Sequence, residues 1–341
     1  MKILINSREL LKALTFVNKG ISRKNALPIL DCLLLEQNDG VLKVSGGNSE
    51  VNSSYKLEVS GEDGKCAVNA KKLLDAIKSL GDTGIELVAN DVKLICDYNS
   101  GKFELPTELV EEYPTFESVD LEPVKVSNHN LRTLSQFTAD DELRPVMNGV
   151  FFDFKNGAYC ASDGHSLIKS TTSTHDVSFI CPKNAIRLID ALSEFDLRLG
   201  SRVVQFNSDN IEVKARIIEG NYPNYNAVIP NNPIKVDVDR LSLINAIKRV
   251  SVFGNSSGLV KLEITYTSIS ISSQDLDYNT SAKESIPCSG EDIIIGFNAD
   301  RLTALLNSLE DDTITMELAD KSRAMVIREG DNTLLLMPMM I

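Results

Sequence analysis

Lys2-Ile3-Leu4-Ile5-Asn6-Ser7-Arg8-Glu9-Leu10-Leu11-Lys12-Ala13-Leu14-Thr15-Phe16-Val17-Asn18-Lys19 holds the unit from which the chain is built. Residues 2–6 read as a strand. Ser7 reads as the N-cap of a helix over 7–19, its hydroxyl accepting one of the amide protons that a first turn leaves unpaired. Leu10, Leu14 and Val17 share one helix face, while Arg8, Lys12, Thr15 and Lys19, spaced by 4, 3 and 4, lie on another. A linker at 21–28 leads to strand patterns near 29–37, 40–46 and 49–60, separated by the turn signals Asn38-Asp39-Gly40 and Gly46-Gly47-Asn48.

This pattern recurs. Amphipathic helix patterns open near Ser7, Asn69, Asn128, Pro182, Asp239 and Asn298, at intervals of 62, 59, 54, 57 and 59 residues. Self-similarity at this scale marks one supersecondary unit copied along the chain. The later copies predict helices over 70–80, 128–139, 182–195, 239–253 and 298–309. Strands are expected near 65–69, 84–89, 92–98, 101–106, 150–154, 158–162, 203–207 and 211–215, with a last strand at 334–338. An acidic, proline-containing stretch at 108–123 and a Pro/Asn-rich stretch at 221–233 read as linkers. The expectation is an α+β protein of three similar domains, 1–119, 120–233 and 234–341. Each is two strand–helix–strands units, with helices on one side of antiparallel sheets.

Charge follows the same rhythm. The 341 residues carry a net −13, yet the segments 7–20, 69–81, 128–139, 182–196, 239–253 and 298–310, which hold the helix patterns, contain 13 Lys/Arg against 8 Asp/Glu. They therefore carry +5, and the remainder −18. Such a protein is not coated with nucleic-acid-binding surface, but its helices form a local face suited to a polyanion. Arg8, Lys12, Lys71, Lys72, Lys78, Arg132, Lys183, Lys248 and Arg249 make that face. The plainer reading is that lysines on amphipathic helices are simply solvated; their recurrence against an acidic background argues for more. No apolar run reaches the length of a membrane span, and the amino terminus reads as a strand rather than a signal peptide, so the expected location is cytoplasmic. Six cysteines without a CxxC and three scattered histidines offer no metal site, and buried free thiols are expected. No cofactor is implied.

Five motifs resemble those of one family, in order and at matching spacing along essentially the whole chain. They are Leu27-Pro28-Ile29-Leu30, Arg144-Pro145-Val146-Met147-Asn148-Gly149-Val150, Ser162-Asp163-Gly164-His165-Ser166-Leu167, Glu219-Gly220-Asn221-Tyr222-Pro223-Asn224-Tyr225 and Leu336-Met337-Pro338-Met339. The family is the bacterial DNA polymerase III beta subunits, the sliding clamps. The resemblance implies the DNA clamp fold: a head-to-tail homodimer closed into a ring, with twelve helices inside and sheets outside. Such a ring encircles double-stranded DNA without reading its sequence. It does no chemistry and tethers the replicative polymerase, the clamp loader and repair proteins through short peptide motifs.

The resemblance also assigns residues. Arg23 and Lys24 fall in a loop that contacts DNA in the family, whereas the second-domain loop at 139–143 is acidic here. Ser162, Gly164, His165 and Leu167 match one wall of the partner-peptide pocket, with Met147, Pro223, Val228, Asn298, Leu336, Met337, Pro338 and Met339 as the rest. Arg301 stands where many members carry an aromatic residue, and Met340-Ile341 where some end in Arg-Leu. Leu105, Val252 and Phe253 match the dimer interface. Two rivals are a repeat scaffold binding proteins only, and a hydrolase using Asp163 and His165. The second lacks a Ser in a G-x-S-x-G setting and any carboxylate cluster.

Overall fold

The computed structural model describes residues 1–341 except 23, 24, 26, 115, 118 and 129. Arg23 and Lys24 thus lie outside the described residues. Among those described, six α-helices alternate with strands: α1 (Ser7–Asn18), α2 (Ala70–Ser79), α3 (Leu131–Gln136), α4 (Lys183–Ile189), α5 (Arg240–Ser251) and α6 (Ala299–Asn307).

The apolar spacing sets which faces are covered. Leu10, Leu14 and Val17 on α1 and Leu73 on α2 are fully buried. Each contributes about 1.5–3 kcal/mol of transfer free energy. Gly46, on the strand Val41–Gly47 beneath α1, lets the helix close down: an added Cβ would sit 2.7 Å from Val17 Cγ1.

The helix starts differ in one detail from the sequence reading. Asn6, not Ser7, caps α1, its Oδ1 accepting from the Arg8 amide at 2.8 Å. Ser7 is the first helical residue and is buried. Its hydroxyl donates to Gly81 O at 2.6 Å and accepts from Thr83 N at 3.0 Å, beyond the end of α2. With the cap supplied by asparagine, the serine is free to join the two helices.

That junction occurs three times. The first residues of each odd-numbered helix pattern donate a backbone N–H across to the chain leaving the next helix: Ser7 N to Thr83 O, Asn128 N to Ser193 O and Arg240 N to Asp312 O, each at 2.8 Å. Side chains reinforce it. Asn128 Nδ2 donates to Asp190 O and Leu192 O, and Arg240 Nε to Asp311 O.

Two helices are shorter than the sequence predicts. The pattern at 182–195 forms a helix only over Lys183–Ile189. The Asp190 and Leu192 amides close its last turn onto Ile186 O and Ile189 O. From Glu194 the periodicity changes to two: Phe195 and Leu197 are buried in a strand, Glu194–Leu199, that pairs antiparallel with Val124–Ser127. The pattern at 128–139 is helical only over Leu131–Gln136. Phe137 N turns back to Leu134 O, and Ala139 N leaves the helix for Met147 O at 2.8 Å. In both places sheet or loop pairing wins over a helical period that is weak at its end.

Contacts divide the chain into two compact units. The first comprises Met1–Arg132 and Phe179–Glu219, the second Thr133–Ser178 and Gly220–Ile341. In the first, thirteen strands make one antiparallel sheet. Its continuity depends on Ile211–Arg216 pairing with Val51–Glu58, in register Val213 to Ser53. In the second, the sheet runs from Gly149–Asp153 to Ile293–Asn298 through an antiparallel pair of Ser166–Thr171 with Asn332–Leu336. Segments distant in sequence are thus joined strand to strand. Five cysteines are buried and Cys288 is half-buried, all as free thiols. Burial pushes Cys66 and Cys96 up to about 12, so they stay protonated and inert.

Replacing Ser7 by Ala removes the acceptor of the half-buried Thr83 amide. We expect a loss of about 1–3 kcal/mol, read as a lower urea midpoint with unchanged helix content. An unaltered midpoint would show the junction to be dispensable.

Candidate partner-binding site and charged helix faces

The carboxyl-terminal tail is the centre of the candidate site in the second unit. Strand Asn332–Leu336 pairs with Ser166–Thr171 in register Leu335 to Leu167 and Leu336 to Ser166. Pro338, which has no amide proton, ends the ladder. Two backbone bonds then pin the tail, Met337 N to His165 O and Met339 N to Gly296 O, both at 2.8 Å. Gly296 permits the second contact: a Cβ there would lie 2.5 Å from Ile341 Cγ2 and 3.0 Å from Met339 O. Held by its backbone, the tail leaves Met337 and Met340 exposed and Met339 half-buried.

The turn that receives Met337 is rigid. Asp163 Oδ1 accepts from His165 N at 2.9 Å, Ser166 N at 2.6 Å and Ser166 Oγ at 3.0 Å. Ser162 Oγ donates to Ser166 O and accepts from Gly164 N, and Gly164 takes the positive φ of 87° that the turn demands. Asp163 Oδ2 pairs with Arg301 at 3.0 Å. Burial raises the Asp163 pKa, but the Ser166 and His165 amides and the Arg301 charge outweigh it, so the carboxyl lies below its ordinary value. Its stabilising contribution is present at neutral pH and is lost as pH falls through that depressed pKa. Both Asp163 oxygens are committed to structure, which removes the acid–base role that a hydrolase would need; the His165 backbone is held in the same turn.

Of the other predicted residues, Leu167, Leu336 and Met147 are buried. Leu167 and Leu335 belong to an apolar cluster with Ala158, Cys160, Tyr225 and Ala324. Pro223 and Val228 are exposed on the loop between Gly220 and Pro230. Asn298 caps α6, accepting from Arg301 N and donating to Ser257 O. Its side chain is therefore spent on local structure. Arg144 was not expected in this neighbourhood, yet its Nη1 would lie 2.9 Å from a Cβ at Gly164, and its Nε donates to Asp141 at 2.8 Å.

The charged helix faces are uneven. Lys12 is tied to Glu9 at 2.8 Å, Arg8 lies 3.7 Å from Asp82, and Arg249 donates from Nε to Glu284 at 2.9 Å. Lys71, Lys72 and Lys78 on α2 and Lys248 on α5 are exposed and have no ion-pair partner among the described residues. Arg132 on α3 is exposed, and Lys183 at the start of α4 is half-buried. Of the expected interface residues, Val252 and Phe253 project at the end of α5, 77% and 44% exposed, and Leu105 is half-buried on Gly101–Glu108.

Two models of one family match the chain: DNA polymerase III beta subunit, N-terminal domain, over residues 1–117, and the C-terminal domain of the same subunit over residues 226–340. The chain belongs to the DNA polymerase III beta subunit family. It is similar to the beta sliding clamp of Haemophilus influenzae, 26% identical over 355 residues that cover 98% of this chain and 97% of that one. The Streptococcus pneumoniae beta sliding clamp is also 26% identical, over 96% of this chain and 95% of its own. The solved DNA polymerase III subunit beta of Pseudomonas aeruginosa matches at a TM-score of 0.90 and 24% identity, covering 100% of both chains. That of Thermotoga maritima matches at 0.92 and 22%, covering 100% of this chain and 99% of its own. The fold is the α+β DNA clamp fold. The role is the family's, a beta sliding clamp acting as the non-catalytic processivity factor of DNA polymerase III.

In this clamp, Gly296→Ala should dislodge the tail while leaving the strand Asn332–Leu336 paired. Hydrogen exchange at the Met339 amide is expected to rise at least about tenfold, with Leu334 and Leu335 unchanged; equal protection of Met339 would contradict the close approach.

Proposed function

We propose that two copies of this chain close head to tail into a ring around double-stranded DNA in the cytoplasm, and that partners dock on the methionine tail. The chain would contribute three domains, 1–119, 120–233 and 234–341. The thrice-repeated junction between helix pairs, one at the start of each segment, supports that division. The observation that carries the reading is the pinned tail: two backbone bonds fix Met337 and Met339 while flexible, polarizable side chains are left outside. Such side chains repack against different apolar anchors, which suits a surface serving a polymerase, a clamp loader and repair proteins in turn.

Ring closure is supported by two open strand edges. Lys93–Tyr98 pairs Gly101–Glu108 from Gly101 to Pro106, but on the other side of that strand, among the described residues, only Thr107 and Glu108 are paired. Thr280–Ser289 is covered by Ser268–Asp275, with only Cys288 and Ser289 paired on the other side. An open edge seeks another strand. Thr280 Oγ1 donates to Phe253 O, bringing Val252 and Phe253 beside the second edge. Two such joints in a two-fold dimer leave neither edge free.

DNA contact falls to the unpaired lysines, Lys71, Lys72, Lys78 and Lys248, with Arg132, Lys183 and, by resemblance, Arg23 and Lys24 as further contributors. Phosphate contacts of this kind position without reading sequence, and each is weak and salt-dependent. Enclosure rather than affinity then provides the grip. Arg8, Lys12 and Arg249 contribute less, because carboxylates already neutralise them.

The deciding experiment combines mass in solution with retention on circular DNA. We expect twice the 37.5 kDa chain mass, retention on a nicked circle, and release on linearisation. A monomer indifferent to DNA topology would overturn the proposal. Lys71→Glu, Lys72→Glu and Lys248→Glu together should leave the dimer intact while abolishing loading at physiological salt. The slope of log affinity against log salt should fall by about 0.9 for each lost contact.

A further inference from the structure

A buried carboxylate accepts a hydrogen bond from the loop that carries Pro223 and Val228. Asp153 ends the strand Gly149–Asp153 and is only 4% exposed, with no cation paired to it among the described residues. Three donors from three segments converge on it: Asn156 Nδ2 to Oδ2 at 2.8 Å, Ser178 Oγ to Oδ1 at 3.2 Å and Tyr225 Oη to Oδ2 at 2.7 Å. Asn156 and Ser178 lie outside the loop that carries Pro223 and Val228. They fix the carboxylate in advance, so the tyrosine meets a ready acceptor. A charged acceptor in a dry setting makes the strongest kind of neutral-donor hydrogen bond.

The loop has little else of comparable strength. Tyr222 stacks on Phe151 with centroids 4.9 Å apart, and Tyr225 meets the same ring edge-on at 6.4 Å. Lys169 Nζ donates to Asn226 Oδ1 at 2.9 Å. The two tyrosines point inward, so Pro223 between them is turned outward. The short 3-10 turn Tyr225–Val228 then presents Val228 to solvent. The direction of both exposed residues therefore depends on where the Tyr225 ring is held.

We propose that Asp153, acting through Tyr225, is a positioning residue for the partner-peptide wall: it sets the Pro223–Val228 loop in the geometry that partners recognise. This rests on the reading of the tail site as the partner dock. Asp153 itself touches no partner. Its effect is to remove the ordering cost that a mobile wall would charge against binding.

The test uses the full-length dimer and a fluorescein-labelled synthetic peptide with a leucine and an aromatic anchor, taken from the end of the same organism's replicative polymerase. Tyr225→Phe and Asp153→Ala are each expected to weaken peptide binding about tenfold. The double variant should be no weaker than either single, as for two residues acting through one bond. Asp153→Asn, which keeps an acceptor oxygen, should restore most of the affinity. Hydrogen exchange of the Ala227 and Val228 amides should rise in the two weakening variants, while dimer mass and retention on circular DNA stay unchanged. Affinity within twofold of wild type in Tyr225→Phe overturns the proposal. So does a loss of affinity accompanied by loss of the dimer, which would make the role one of general stability. If the wild-type protein itself fails to bind the peptide, the tail is not the dock, and it is the underlying functional reading that falls.

Discussion

Everything at the candidate site depends on one strand pair, Ser166–Thr171 against Asn332–Leu336. The two strands lie some 160 residues apart in sequence, and their register decides which residues the tail meets. Leu335 opposite Leu167 puts two side chains into the apolar cluster with Tyr225, and Leu336 opposite Ser166 delivers Met337 to the His165 carbonyl. Leu334, Leu335 and Leu336 are all buried, so both faces of this strand are packed, and a shift by one residue would carry Met337 away from His165 O and Met339 away from Gly296 O. Once the register is set, Pro338 can only leave the sheet, and Met339 reaches Gly296.

The same logic explains why the compact units follow the linker at 221–233 but not the one at 108–123. Ile211–Arg216 is zipped to Val51–Glu58, just as Ser166–Thr171 is zipped to Asn332–Leu336. Long antiparallel pairs hold more tightly than the proline-bearing connections that punctuate the chain. The middle segment therefore shares its strands between two sheets. Linker composition reports where the chain is free to turn and says nothing about which edges it later pairs.

Periodicity made much of this legible. Asn69, Asp239 and Asn298, where helix patterns open, are the residues whose side chains cap α2, α5 and α6. Leu10, Leu14 and Val17 are buried as their spacing demands. What was not legible is whatever depends on distant partners. Glu194-Phe195-Asp196-Leu197 fits a helix end or a strand start until Val124–Ser127 is there to pair with it. Arg144 beside Gly164 and Asp153 beneath Tyr225 are equally silent in sequence, because their chemistry comes from folded neighbours 20 and 72 residues away. The tail's methionines were legible by type, and their two anchoring bonds were not.

Charge pairing sharpens the picture of the basic face. Counting residues gives α1, α2 and α5 similar positive excess, but the structure separates them. On α1 the cations have acids within reach, and on α5 one arginine is held by Glu284. Of these three helices, only α2 keeps every cation without an ion-pair partner among the described residues. An exposed lysine already beside a carboxylate gains little from a phosphate, since approach must first break or share that pair. A solvated, unpaired lysine instead releases the counterions condensed on DNA without prior cost. A sliding protein benefits from few and weak contacts, because strong ones at every helix would hold it at one position. Partial self-neutralisation of the helix faces is therefore consistent with a ring that retains DNA by enclosure and moves along it freely.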